Sequence, residues 1–481
     1  MSKTQLARVL SQVPRRYLLP PLPDGLPPGE TDAGTAVALV LERVRATLAH
    51  GGTPEAPLKA SFLDALARLI REAMRGHGDD SAPGDPVPGD PVFQAMVLRH
   101  RMPCVREYAS LAAHAERDRR EVRALVNGVA HPGKQARRSP GPVHDVLAQL
   151  HALAGASRWA RLRQAARHAL ETPGIAGEAA IESALASLAA SPALARLDLL
   201  DTLATDGDVR RYQALWDLNG PRSGSPAAVA RGSASQRRGA EVEAQAASAI
   251  VALAQRLERD EAGDEAGQGG QTAYRVVTSM RVPASLSASA DRAKTEWDVV
   301  LLRRNAVRPQ RDAAFGIAED PWDVCLLVEA KASLDAATTD LQRLLRGLRL
   351  LASADASLVY HFQTRDGNVP ISGASLRAPC TDDAALRASV LYCCDAAQEA
   401  QTRLLGAASR MQLLSAPASL AFAARCAEDP RTGVDMLEPV WQALLATPAW
   451  TPVLHQYTTL RQVRELLVHV DDLSTTVAST A

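Results

Sequence analysis

The stretch Trp322-Asp-Val-Cys-Leu-Leu-Val-Glu329-Ala-Lys331 constrains this chain more than any other. Val324 to Val328 form an unbroken apolar run, the pattern of a strand buried on both faces. The run closes on two charged residues at i and i+2. Strand alternation puts Glu329 and Lys331 on the same face. A buried strand that aims a carboxylate and an ammonium the same way has the geometry of a site. The competing reading is a strand running out into solvent, where charges are ordinary.

With 481 residues the chain is long enough for two or three domains, each with its own core. Basic and acidic residues balance at 54 each, so net charge singles out no partner. Aromatics make up only 4% and Ala, Leu and Arg dominate, which favours helix over most of the length. No run of about 18 apolar residues is present, so no membrane span is expected. The segment Met1-Ser-Lys-Thr-Gln-Leu-Ala-Arg lacks the apolar core of a signal peptide. The six cysteines form no Cys-x-x-Cys pair, so they read as reduced thiols with neither zinc site nor disulfide framework. The expected compartment is cytoplasmic.

Residues 14 to 30 are rich in Pro and Gly and read as an extended lead-in. Apolar residues then recur at three and four, predicting helices over about 32–50, 57–76, 91–127, 142–154, 156–171, 177–190 and 207–218. A Pro- and Asp-rich tract from Gly76 to Pro91 reads as a loop. Arg117, Arg119, Arg120, Lys134, Arg137 and Arg138 make a locally basic segment, suited to phosphates or simply to solvent. The small, polar stretch 219–236 reads as a linker. The predicted division is therefore a helical N-terminal domain over 1–218, a linker, and a second domain over 237–481.

After the linker the grammar changes. A helix is predicted from about Ala240 to Arg259, followed by an acidic, Gly-rich loop from Asp260 to Gly270. Strands are predicted at Tyr274–Val282, at Glu296–Arg303, and over the stretch ending at Lys331. A second amphipathic helix follows at about Ala336–Ala352, with short strands at Leu358–Phe362 and Val390–Cys394 and a helical tail. Asp298 stands on the second strand, and Glu329 and Lys331 on the third.

This order resembles the PD-(D/E)xK nuclease superfamily, which includes restriction endonucleases, RecB-type exonucleases and Holliday-junction resolvases. The resemblance rests on Asp298 and Glu329-Ala330-Lys331 and covers roughly residues 239 to 362. Two departures stand out: Trp297 precedes the Asp where the family pattern has Pro, and an Arg-rich insert (Arg303, Arg304, Arg308, Arg311) lengthens the gap to Glu329. The resemblance implies an α+β fold with an all-helical N-terminal domain, a restriction-endonuclease-like αβββαβ core and a helical C-terminal extension. It implies metal-dependent hydrolysis of nucleic acid, with DNA the expected substrate. The alternatives are a nuclease-fold scaffold without catalysis and, more remotely, a small-molecule enzyme. No Gly-rich phosphate loop, Ser-His-Asp pattern or zinc spacing supports the last.

The chemistry agrees with these residue types. Phosphodiester hydrolysis needs a metal to polarise the phosphate and lower the pKa of a water. Mg²⁺ takes oxygen ligands and keeps several waters, so two or three carboxylates suffice; Mn²⁺ can substitute. Asp298 and Glu329 are the candidate ligands, with the Ala330 carbonyl, and Lys331 is placed to stabilise developing charge. Asp323 competes with Asp298, but six residues of strand, about 20 Å, separate it from Glu329. On the first helix Glu243 lies nearer the apolar stripe than Glu241 at about 100° per residue, and is the further candidate ligand; either is equally readable as a surface acid. Gln342, Arg346, Arg238 and Arg303 are candidate nucleic-acid contacts, against ordinary solubilising charge. The residues fix no oligomeric state, and a dimer is compatible with them.

Overall fold

In the computed structural model, residues 2–22, 31–75, 89–175, 177–221, 224–264, 273–286, 292–305, 320–377, 382–399 and 402–479 are described. Arg308 and Arg311, Cys380, most of the Pro/Asp tract and the tip of the acidic loop lie outside them. The chain is α+β, with a helical N-terminal region and a mixed-sheet core.

Two compact units emerge, and they do not follow the expected division. One gathers residues 1–69, 223–413 and 438–481; the other gathers 70–222 and 414–437. Helix Ser2–Gln12 belongs to the sheet unit because Leu6, Val9 and Leu10 share one apolar core with Ile250, Leu253 and the strand residues Leu301 and Leu326. The predicted linker is overturned as well. The long helix α1 (Pro226–Asp264) starts inside it. Pro226 sits where an N-terminal helical residue needs no N–H, and the Ser225 hydroxyl accepts from the Ala228 N–H at 3.1 Å.

Strands β1 (Tyr274–Arg281), β2 (Glu296–Arg304) and β3 (Trp322–Ala330) pair antiparallel in succession. After β3, helix α2 (Leu334–Ala352) crosses the sheet, starting where the Ser333 hydroxyl accepts from the Ala336 N–H. The expected fourth core strand is corrected here. Residues 359–364 form β4 of a hairpin with β5 (Gly367–Ser372), and the strand laid parallel along the end of β3 is β6 (Val390–Cys394). The tail is no mere extension either, since β7 (Leu467–His469) pairs in parallel with β6.

Alternation along the strands divides two cores. Leu327 and Val300 face α2 and its Leu341, Leu344 and Leu348, whereas Leu326, Val328 and Val299 face α1. Each such fully buried leucine contributes roughly 1.5–3 kcal/mol relative to exposure. By the same parity Asp298, Glu329 and Lys331 fall on the α2 face.

In the helical unit, Leu147, Leu150, Leu185 and Leu194 meet in one core around Trp159. Buried Asp118 takes two hydrogen bonds from Arg196, at 2.8 and 2.6 Å. No single helix among the described residues is long and apolar enough to cross a membrane. The bent pair Ala179–Ala189 and Pro192–Leu203 qualifies by length and composition alone, and its Leu185, Leu188, Leu194 and Leu197 line this core.

One close approach matters for the site. A Cβ on Gly347 of α2 would stand 2.8 Å from both Cβ and the carbonyl oxygen of Lys294. The Lys294 N–H donates to the Arg343 carbonyl of the same helix at 3.1 Å, so the segment is held from both sides. Gly347→Ala is therefore expected to destabilise by about 1–2 kcal/mol, overpacking outweighing the roughly 1 kcal/mol gained in helix propensity. Denaturant midpoints would measure it; a variant more stable than the parent would show that the segment yields freely.

Candidate active site

Asp298 and Glu329 lie one step beyond the registered pair Val299–Val328 of the antiparallel β2–β3 ladder. Side chains on such opposed positions sit about 5 Å apart at Cβ. Asp298 Oδ2 accepts the Ala330 N–H at 2.9 Å, which ties the second strand to the end of the third.

Glu329 is fully buried. Its Oε2 is met by two ammonium groups, Lys294 at 2.5 Å and Lys331 at 3.1 Å. Its Oε1 has no hydrogen-bond partner among the described residues. Burial pushes its carboxyl up to about 7, Asp298 adds in the same direction, and Lys294 and Lys331 pull it back.

Lys331 lies just past the end of β3, where its N–H donates to the Cys393 carbonyl of β6 at 2.9 Å. Its ammonium spans Glu329 and, at 3.3 Å, Asp340 of α2. Burial works to lower it, but the surrounding carboxylates outweigh burial and hold it above the usual lysine range. Asp340 also accepts from the Tyr392 hydroxyl at 3.4 Å. Tyr392 is registered opposite Glu329 on β6, and burial raises its phenol far above the ordinary value.

Glu243 of α1 is half-buried and Glu241 exposed. Burial raises the Glu243 carboxyl, and the negative charge of Asp298 raises it further, which brings Glu243 into the electrostatic reach of the site. Asp323 accepts from Asn305 Nδ2 at 3.1 Å at the other end of β3.

The four candidate nucleic-acid contacts separate. Arg303 is opposite Asp323 in the ladder, about 20 Å of strand from the site, paired with Glu261 at 3.3 Å and stacked over Tyr274. Its charge is engaged at the far end of the sheet. Arg238 pairs with Asp395 at 2.9 Å just past β6, and Arg346 donates to the Arg292 carbonyl at 3.0 Å. Gln342 is exposed on α2.

Sequence reasoning missed Lys294, Asp340, Tyr392 and Arg365, whose positive charge acts on Glu243 from the β4–β5 turn. Asp340 had a signal. It occupies the apolar stripe of α2, three residues after Ala337 and four before Leu344, where a charge is out of place unless paired. Lys294 stands four residues before Asp298 in a segment with no periodic pattern.

Two other places in the helical unit carry polar clusters. Cys104, Asp206 and Asp208 lie close together, but Asp206 is the cap of helix Gly207–Leu218, accepting from the Asp208 and Val209 N–H groups. Burial raises the Cys104 thiol, which disfavours the thiolate a metal needs. A groove of about 800 Å³ is lined by Leu125, Val129, Ile181 and the basic residues Lys134, Arg137 and Arg138. Much of the basic segment is already engaged: Arg138 with Glu178, Arg119 with Glu116, and Lys134 with the Gly128 carbonyl.

No family model matches the chain, and neither a curated protein nor a solved structure gives a significant match.

Proposed function

We propose that this protein is a metal-dependent nuclease of the PD-(D/E)xK type, acting on DNA in the cytoplasm. One observation carries the reading: Asp298 and Glu329 face each other across β2 and β3 with Lys331 beside them, and the buried Oε1 of Glu329 is left without a partner among the described residues. A buried carboxylate oxygen without a donor is costly unless a cation takes it. The order α1, β1, β2, β3, α2, with β6 parallel to β3, supports the restriction-endonuclease-like core.

The donor types suit Mg²⁺ or Mn²⁺, with hard oxygens from Asp298, Glu329 and the Ala330 carbonyl. Glu243 of α1 feels the charge of Asp298, but the three carboxylates are not gathered within ligand distance of one another, so Glu243 would have to move in to complete the set. Bound there, the metal supplies a lowered water pKa and a Lewis acid for the phosphate. Asp298 braces the end of β3 through Ala330, fixing where Glu329 and Lys331 point. Lys331, retained by Asp340, stabilises charge on the phosphate as it develops. Exposed Gln342, Arg343 and Arg365 offer polar and cationic contacts to a phosphate backbone.

Purified protein is expected to nick or degrade duplex or single-stranded DNA in Mg²⁺ or Mn²⁺ and to stop on addition of EDTA. Absence of cleavage of DNA and RNA under every divalent metal would favour the second reading, a nuclease-fold binding protein. The complete burial of Glu329 beneath two lysines is the observation on that side.

A further inference from the structure

We infer that Lys294 is a built-in cation on the Glu329 carboxylate that a divalent metal must use, its ammonium on Oε2 beside the open Oε1, so that loading the site requires the Lys294 ammonium to be displaced. This rests on the metal-site reading above.

The two lysines on Glu329 are not equivalent. Lys331 has a second carboxylate, Asp340, to hold it when Glu329 turns to another cation. Lys294 has Glu329 alone as an ion-pair partner among the described residues, at 2.5 Å, and is only 4% exposed. Its position is built rather than accidental. The backbone is clamped to α2 by the bond to Arg343 and by the space that Gly347 leaves. The ammonium also lies 5.9 Å from the centre of the Trp297 ring.

Charge explains the need. Glu329 and Asp298 would repel each other in a water-poor setting, and a buried, uncompensated carboxylate destabilises a fold strongly. Lys294 compensates one of them while no metal is present. It then stands in the way. A divalent ion about 4 Å from an ammonium is repelled by several kcal/mol even at an effective dielectric constant of about 20. An ammonium on Oε2 and a divalent ion on Oε1 of the same carboxylate would stand about that close, and the flexible four-carbon stem lets the lysine swing clear while its backbone stays clamped.

The test is calorimetric titration of Mn²⁺ into the full chain, its Lys294→Met variant, and Lys294→Met combined with Glu329→Gln. Lys294→Met should bind Mn²⁺ at least tenfold more tightly than the parent, and the gain should vanish in the double variant. Equal or weaker binding by Lys294→Met, with the parent still binding, overturns the inference and leaves the metal site standing. No binding by either overturns both. A second measurement needs no variant: acetylation of the parent, read by mass spectrometry, should label Lys294 several-fold faster in saturating Mn²⁺ than in EDTA. Unchanged labelling with Mn²⁺ bound also overturns it.

Discussion

Asp298→Asn, Glu329→Gln and Lys331→Met should each lower metal-dependent DNA cleavage by about a thousandfold or more, because each removes a charge at the centre of the proposed site. The carboxylate changes are isosteric amides, so the strands should pair as before. In Asp298→Asn the amide oxygen can still accept the Ala330 N–H, and circular dichroism should be unaltered. Glu243→Gln should instead weaken metal affinity and recover in part at high Mn²⁺, while Glu241→Gln, exposed about 160° further round the helix when two steps of about 100° are folded back, should change little. Arg303→Ala serves as the distant control, its guanidinium being committed to Glu261 and Tyr274. Single-turnover rates at saturating Mn²⁺ decide the matter. If Asp298→Asn cuts at the parental rate, the β2–β3 pair is not the catalytic centre.

The second large effect is on stability against pH in the metal-free protein. Glu329 holds its proton up to about pH 7 when folded, whereas an unfolded glutamate releases it near 4.3. Between those values the folded chain binds more protons, so stability falls as pH rises. The loss reaches on the order of 3 kcal/mol by pH 8, from about 1.4 kcal/mol per pKa unit. Chemical denaturation in EDTA at pH 5 and pH 8 should show it, and saturating Mn²⁺ at pH 8 should restore it by binding only the folded state. A Glu329→Gln variant has no proton to release there and should show a flatter profile. An equally steep decline in that variant would assign the pH dependence to other groups.

Periodic segments could be read directly from the chain. Helices Ala33–Ala49, Pro142–Gly155 and Gly207–Leu218 end within a residue or two of their sequence-based limits, because apolar spacing and Asp32 or Asp206 caps mark them. The strands carrying Asp298 and Glu329 were equally plain. What escaped was long-range or irregular. Helix Ser2–Gln12 finds its partner in α1, over two hundred residues on. The strand Leu467–His469 is three residues long and hides inside a helical pattern. The choice of β6 over β4 as the neighbour of β3 depends on register, which no local pattern reveals. At the site, the residues missed come from segments other than the two motif-bearing strands: Lys294 before β2, Asp340 on α2, Arg365 in the β4–β5 turn and Tyr392 on β6.

The threading of the sheet unit also bears on how the chain matures during synthesis. Its innermost strand, β3, pairs on one side with β2, made just before it, and on the other with β6, made some sixty residues later. The layer is completed only by β7 and helix Val470–Ala478, near the end of the described chain. Until those residues leave the ribosome, one flank of β6 lacks its partner strand and Leu326 and Val328 lack part of their cover. The helical unit faces the same delay, because residues 414–437 reach it only after the first three sheet strands and β6 have been made. Neither unit can finish before the other has begun, so a ribosome that stalls near residue 450 would strand a nascent chain with exposed apolar surface in the sheet unit.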